Sequence, residues 1–222
     1  MAAAKAKHDQ DLLLDFGNLK RYKDANAALP APAPNENRVV FMGDSITQIW
    51  KLADSFPGKP YINRGISGQT SPQMLLRFRQ DVIDLKPKVV VILAGTNDIA
   101  GNTGPMTKEQ IEGDIASMAE LAASNGIRVV LCSVLPVFDY PWARGLTPAP
   151  EIAEINGWMK DYAQQRGFVY VDYYSAVKDD RGGLPATLSR DGVHPNPAGF
   201  AVMAPLAETG IEKALAEKTK KH

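Results

Sequence analysis

Cysteine is nearly absent. Cys132 is the single one in 222 residues, which excludes an intramolecular disulfide and any cysteine-built zinc site. Histidine is almost as scarce: of the three, His8 and His222 lie near the termini, and only His194 sits within the body of the chain. An excess of charge is missing as well. Lys plus Arg and Asp plus Glu number 25 each, so nothing indicates nucleic acid or an anionic membrane as a partner. No apolar run reaches the roughly 18 residues that a transmembrane helix requires. Also lacking are a Gly-x-x-x-x-Gly-Lys-Ser/Thr phosphate loop, a Gly-x-Gly-x-x-Gly turn after a strand and a His-Glu-x-x-His helix. No metal and no cofactor is therefore expected.

The chain does carry an alternation of two periodicities. Apolar runs at Val39–Met42, Tyr61–Ile62, Val89–Ala94, Val129–Val134 and Phe168–Val171 alternate with helical spacing near Ser71–Leu85, Lys108–Ser124, Pro150–Arg166 and Pro197–Glu217. Such a pattern predicts a parallel sheet with helices on both faces. The expected fold is α/β, a three-layer α/β/α sandwich around a flavodoxin-like five-stranded sheet. With 45% hydrophobic residues the chain can bury a core of ordinary size. Ahead of the first run, Asp11 to Leu29 has helical spacing of Leu12, Phe16, Leu19 and Ala27, and Pro30-Ala31-Pro32-Ala33-Pro34 follows as a stiff connector. Residues 1–37 thus read as a helical extension packed on a folded surface, and 38–222 as the main domain. Cys132 lies inside an apolar run and reads as core.

Two stretches suggest chemistry. Asp191-Gly192-Val193-His194-Pro195-Asn196 sets a carboxylate and an imidazole three residues apart in a turning segment, a spacing that lets the Asp orient the His. Val39-Val40-Phe41-Met42-Gly43-Asp44-Ser45 runs from a strand into a turn that exposes a hydroxyl. A serine hydroxyl is a weak nucleophile at neutral pH and needs a base; His194 is the candidate. Gly65-Ile66-Ser67-Gly68 does not make a nucleophile elbow, because Gln69 stands where Gly-x-Ser-x-Gly requires Gly, and Ser67 reads as a turn residue.

Asn63-Arg64-Gly65-Ile66-Ser67-Gly68-Gln69-Thr70 and Ala94-Gly95-Thr96-Asn97-Asp98 complete a set of four blocks. Their order resembles the signature of the SGNH (GDSL-type) hydrolase superfamily from about Arg38 to Phe200. The overall flavour is that of the acetylhydrolase branch that includes platelet-activating factor acetylhydrolase-like proteins. The resemblance implies Ser45 as nucleophile, His194 as general base and Asp191 as its orienting partner. It also implies an oxyanion hole of the Ser45 and Gly68 backbone N–H groups and the Asn97 side-chain amide. Preorganised donors of this kind are often the largest catalytic contribution, on the order of 3–4 kcal/mol for one of them. Asp44 and Asp98 are read as organising their turns rather than acting on substrate. Many members have Asp where Gln69 stands; that departure bears on the turn and leaves the Gly68 N–H in place.

The expected activity is that of a carboxylic ester hydrolase removing a short acyl group, foremost acetyl, from a small-molecule or carbohydrate ester. Its alternative is a non-catalytic carbohydrate-binding or scaffold module on the same fold. Trp50 either lines the pocket or packs beneath it. Phe138, Tyr140 and Trp142 follow the fourth strand at the edge where ligands bind and are expected to wall the site. Arg64 and Arg79 read as solvated charge. A homo-oligomer is open. Met1 to Gln10 has lysines but no apolar h-region, so the cytoplasm is the default compartment; an exported mature form stays open.

Overall fold

The computed structural model describes Gln10 and residues 12–216. His8 and His222, and the limits set above at Asp11 and Glu217, lie outside the described residues. Five parallel strands form one sheet in the order β2-β1-β3-β4-β5: β1 (Val39–Gly43), β2 (Tyr61–Gly65), β3 (Val89–Leu93), β4 (Arg128–Cys132) and β5 (Val169–Val171). This is the flavodoxin-like order expected. Side chains alternate across the sheet. Val40, Met42, Val90, Ile92, Val129 and Leu131 face one core. Val39, Phe41, Val89, Val91, Val130 and Cys132 face the other. Both layers are dry, which is why these strands are apolar throughout rather than alternating with polar residues.

The first core is closed by α4 (Ser71–Asp81), α6 (Lys108–Ser124) and α7 (Pro148–Arg166), through Met74 and Phe78, Ile111, Ile115 and Met118, and Ile152, Ile155 and Met159. The second is closed by α2 (Ser45–Ile49), α3 (Leu52–Ser55), α8 (Tyr173–Val177) and α9 (Pro197–Ala216), through Ile46, Leu52, Tyr173, Met203, Ala207 and Ile211. The remaining helices are α1 (Lys23–Ala28) and α5 (Thr96–Ile99). The helical pattern at Ser71–Leu85 breaks at Val82, after which Ile83–Leu85 forms a 3₁₀ turn. Burial pushes the Cys132 thiol up to about 12, so it stays protonated and inert.

The first residues depart from the helix that their spacing predicts. A helical turn at residues 12–14 gives way to turns up to α1. The Asp15 carboxylate accepts the Leu19 and Lys20 N–H groups, and Asn18 takes a positive φ of 52°. This local bonding competes with the helix. The apolar spacing is not spent on the core either, since Phe16 and Leu19 are 38% and 42% exposed.

Side chains of the main domain hold this segment in place. Gln69 Nε2 donates to the Gly17 carbonyl, Gln73 Nε2 to that of Phe16 and Gln80 Nε2 to that of Leu19, at 2.8 to 2.9 Å. The Tyr22 hydroxyl donates to the Gly65 carbonyl. Arg64 is not the solvated charge that the sequence suggested. It is buried, its guanidinium lies over the Tyr22 ring, and its Nε donates to Asn26 Oδ1 at 2.9 Å. Arg79 is solvated, 66% exposed and 4.0 Å from Asp84.

Candidate functional site

The strand register sets the site. Gly43 pairs with Gly65 on one side and with Leu93 on the other, so three strands end level with one another. Ser45, Gly68 and Asn97 follow those ends by a few residues and gather at the carboxyl edge of the sheet, where ligands bind in open α/β folds. Gly65 makes the gathering possible. A Cβ there would meet the Gln48 nitrogen at 2.2 Å, so only glycine lets α2 press onto β2.

Asp44 caps α2, its Oδ1 accepting the Ile46 N–H at 2.9 Å. Ser45 thus becomes the first helical residue, and its own N–H has no carbonyl within the helix to bond. Its hydroxyl lies 2.8 Å from His194 Nε2. On the other side of the ring, His194 Nδ1 is 2.7 Å from Asp191 Oδ2, while the His194 N–H donates to Asp191 Oδ1 at 2.8 Å. The carboxylate thus grips both the ring and the backbone of the same residue. Burial raises the Asp191 carboxyl, but the bonds from His194 and Val193 outweigh it and hold it at about 2.

Ser189 is a buried organiser of this loop that sequence reasoning missed. Its Oγ donates to the His194 carbonyl at 2.7 Å and accepts the Gly192 N–H at 2.9 Å. The neighbouring Val193 is 1% exposed and pins the loop to the core. Asn196 completes the segment by accepting the Ala198 and Gly199 N–H groups with Oδ1, at 2.9 and 3.1 Å, as the cap of α9.

On the opposite flank, Gly68 has a φ of +77°, in the left-handed region that disfavours side chains. Among the described residues its N–H has no acceptor. Asn97 is 2% exposed, and Nδ2 donates to the Gln69 carbonyl at 3.0 Å, which leaves the second amide hydrogen available. Asn102, also missed, ties the two together. Its Nδ2 reaches Asn97 Oδ1 at 2.9 Å and the Gly68 carbonyl at 3.1 Å. A signal was present in the sequence: Asn102 is a second asparagine in the turn that begins at Gly95.

The four aromatic candidates separate. Trp50 packs beneath the site: it is 3% exposed, stacked on Phe200 at 5.0 Å and edge-on to Phe41 and Tyr173. Tyr140 is fully buried, with its hydroxyl 3.0 Å from Thr96 Oγ1; it is a prop and not a wall. Trp142 is 46% exposed. Its ring lies 6.1 Å from that of His194, and its Nε1 donates to Asn102 Oδ1 at 3.0 Å. Phe138 is exposed, with Arg181 over its ring at 4.0 Å. Ser67 sits in the turn with its N–H on Gln48 Oε1.

Buried charge surrounds the site. Burial pushes Asp44 up to about 7, against the Ile46 N–H and nearby His194. Asp98 is pushed up to about 6 by burial, against its bonds from Ser71. Its Oδ1 holds the Ser71 N–H at 2.8 Å and joins α5 to α4. Arg77, at 0% exposure, sends NH2 to the Gly43 carbonyl, NH1 to the Arg64 carbonyl and to Asp81, and Nε to Gln69 Oε1. It thereby fixes the ends of β1 and β2 together with the Gly68 turn. Among the described residues, no group of three or more His, Cys, Asp and Glu is placed to hold a metal, and no helix is long and apolar enough to cross a membrane.

Residues 41–202 match the GDSL-like Lipase/Acylhydrolase family. The chain belongs to this family. It is similar to a GDSL-like lipase from Bacteroides thetaiotaomicron, 48% identical with a TM-score of 0.86, over 90% of this chain and 99% of that one. An acetylxylan esterase of Xylanibacter ruminicola is 26% identical over 92% of this chain and 48% of that protein. The platelet-activating factor acetylhydrolase IB subunit alpha2 of Homo sapiens is 28% identical over 137 residues, 56% of this chain and 54% of that protein. The chain spans 33%, 48% and 66% of the length of three curated relatives, a lipoprotein of Bacillus subtilis, the acetylxylan esterase and an esterase of Pseudomonas aeruginosa.

Proposed function

We propose that this GDSL-family protein removes a short acyl group, foremost acetyl, from an alcohol through an acyl-enzyme on Ser45. The observation that carries this reading is the continuous chain from Ser45 Oγ through the His194 ring to Asp191, with links of 2.8 and 2.7 Å. In the first step Ser45 Oγ attacks the ester carbonyl carbon and its proton passes to His194 Nε2. The carbonyl oxygen becomes an oxyanion, held by the Ser45 and Gly68 N–H groups and by the free amide hydrogen of Asn97. Collapse breaks the bond to the leaving oxygen, which takes the proton from His194 and departs as the alcohol. Water then gives a proton to His194 and attacks the acyl-enzyme; the carboxylic acid leaves and Ser45 recovers its proton. Asp191, ionised throughout, holds Nδ1–H and stabilises the transient imidazolium.

Acetyl leads because two relatives named for different substrates, an acetylxylan esterase and a platelet-activating factor acetylhydrolase subunit, share it in their names. Trp142, half-exposed beside His194, supplies an apolar wall near the reacting atoms.

The test is hydrolysis of p-nitrophenyl esters from acetyl to octanoyl, with folded Ser45→Ala and His194→Ala beside the wild type. Turnover that falls with chain length and is abolished in both variants is expected. Turnover surviving Ser45→Ala rejects the acyl-enzyme, and no turnover of any ester returns the binding-module reading.

A further inference from the structure

The Gly68 turn spends every backbone N–H but one. From Gly65 to Thr70 the acceptors are, in order, Asn63 Oδ1, the Gly43 carbonyl, Gln48 Oε1, none for Gly68, the Ile66 carbonyl and Gln73 Oε1, among the described residues. Backbone donors are paired almost everywhere in folded proteins, so the single free one marks where the turn offers a bond to something else. Of these acceptors, the one that takes the Ser67 N–H, at 2.6 Å, comes from the helix that begins at Ser45.

Gln48 stands three residues after Ser45 in α2, a spacing that puts both on one side of the helix. A helix of five residues does not support itself. Asn63 closes its far end, Nδ2 donating to the carbonyls of Thr47 and Trp50 at 2.6 and 3.1 Å. This ties α2 to β2, and Gln48 carries the tie on to the turn. At Gly68 the φ of +77° is one of many that a glycine can take, so the residue does not set the direction of its own N–H. Two side chains set it. Gln48 holds the N–H of the residue before it, and Asn102 Nδ2 holds the Gly68 carbonyl at 3.1 Å.

We propose that Gln48 is a positioning residue for the oxyanion hole: by taking the Ser67 N–H it fixes the free Gly68 N–H relative to the Ser45 N–H at the start of its own helix. The proposal rests on the acyl-enzyme reading above and adds to it the side chain that sets the spacing of the two backbone donors. The oxyanion forms only as Ser45 attacks, so Gln48 acts on kcat and not on the binding of the ester. Its loss costs less than the roughly 10²–10³ that follows removal of a donor, because Asn102 still holds the other side of the glycine.

The experiment uses the full chain with Gln48→Met, which keeps the length of the side chain but has only a weak acceptor, and Gln48→Glu, whose carboxylate can still take the Ser67 N–H. Melting temperatures show folding, and each protein is assayed on p-nitrophenyl acetate. Each is also inhibited with methylboronic acid, whose boron bonds Ser45 Oγ as the serine proton passes to His194, giving a tetrahedral boronate with an oxygen where the oxyanion forms. In Gln48→Met the expected kcat is about tenfold lower, with KM within about twofold and the Ki of methylboronic acid about tenfold higher; Gln48→Glu is expected within about threefold of wild type in both. Four results overturn the proposal: wild-type kcat in Gln48→Met, a raised KM with kcat kept, an unchanged boronate Ki, or an equal loss in Gln48→Glu. With turnover still abolished by Ser45→Ala, any of the four leaves the acyl-enzyme standing. Turnover that survives Ser45→Ala, or no turnover by the wild type, overturns the acyl-enzyme and the proposal together.

Discussion

Arg77→Met removes the guanidinium that joins the ends of β1 and β2 to the Gly68 turn. Its partners are the carbonyls of Gly43 and Arg64, Gln69 Oε1 and the Asp81 carboxylate, with the Arg77 and Asp81 side chains both at 0% exposure. Losing one member of a buried pair leaves an uncompensated charge, at a cost of about 3–5 kcal/mol. Folded domains hold roughly 5–15 kcal/mol in all, so about a fifth or more of the stability is at stake. For a chain of this size each kcal/mol moves Tm by about 2–4 °C, giving a fall of about 6–20 °C. Asp81→Asn added to Arg77→Met removes the stranded charge, and its amide can still accept from Asn26, which donates to Asp81 Oδ1 at 2.6 Å. Thermal and urea unfolding of the single and double variants measure the difference. The double variant is expected to recover a large part of the loss. A double variant no more stable than Arg77→Met, or a single variant losing less than about 1 kcal/mol, would refute the assignment of a buried, structure-bearing charge. Ester hydrolysis well below each variant's Tm adds a functional reading, in which kcat is expected to fall more than KM rises, because the disturbed groups are the supports of Ser45 and Gly68 and not a substrate wall.

Asn102→Ala frees both the Asn97 amide and the Gly68 carbonyl, and is expected to lower kcat by about tenfold or more, less than the roughly 10²–10³ lost with a donor itself. Trp142→Phe, which removes the N–H that reaches Asn102 and part of the ring beside His194, is expected to cost a few-fold; steady-state kinetics on p-nitrophenyl acetate check both. Asp191→Asn is expected to drop kcat by about 10⁴ through the wrong His194 tautomer. Because the folded Asp191 carboxyl is held at about 2, below its unfolded value of about 3.9, its stabilisation is present above that unfolded value and disappears as pH falls through about 2, where the Tm values of wild type and variant should converge. Asp44 runs the other way: raised to about 7, it binds its proton more tightly when folded, so stability declines as pH rises from about 4 to 7. The Tm advantage of Asp44→Asn, whose amide oxygen can still cap α2, should therefore grow over that interval and level off above it.

The sheet and the gathering of polar residues at its edge were legible for a shared reason. β-branched runs buried on both faces mark parallel strands without any partner being known, and parallel strands that end level deliver the residues just beyond them to one edge. Ser45, Gly68 and Asn97, which the family resemblance picks out, agree with that rule, and Asp191 and His194 lie in a loop short enough for the pair to meet. Arg77, Asn102 and Ser189 escaped because their partners are largely backbone carbonyls and N–H groups, some distant in sequence, and a carbonyl leaves no trace in residue identity. Trp50 stayed open because its position after α2 is compatible with either side of the helix; only the ring of Phe200, 150 residues on, decides for packing. The helical pattern over Asp11–Leu29 is realised only as the turn at 12–14 and α1, and is interrupted between them for a local reason, the Asp15 carboxylate turning back on Leu19 and Lys20. Arg64 was misread because its aromatic partner, Tyr22, lies in that same segment.

Gln69 connects these observations. Its side chain does two things that a carboxylate cannot combine. Oε1 accepts from Arg77, as a carboxylate oxygen would, while Nε2 donates to the Gly17 carbonyl at 2.9 Å. The next residue back is Gly68, and the Gln69 carbonyl takes the Asn97 amide at 3.0 Å. One residue therefore spans the buried arginine, the turn that carries the proposed oxyanion donors and the N-terminal segment. The cost of carrying an amide at this position falls on the charge of the Arg77 environment, where Asp81 supplies the anion that Gln69 does not. The extension is in this sense continuous with the site: what holds it is also what holds the turn.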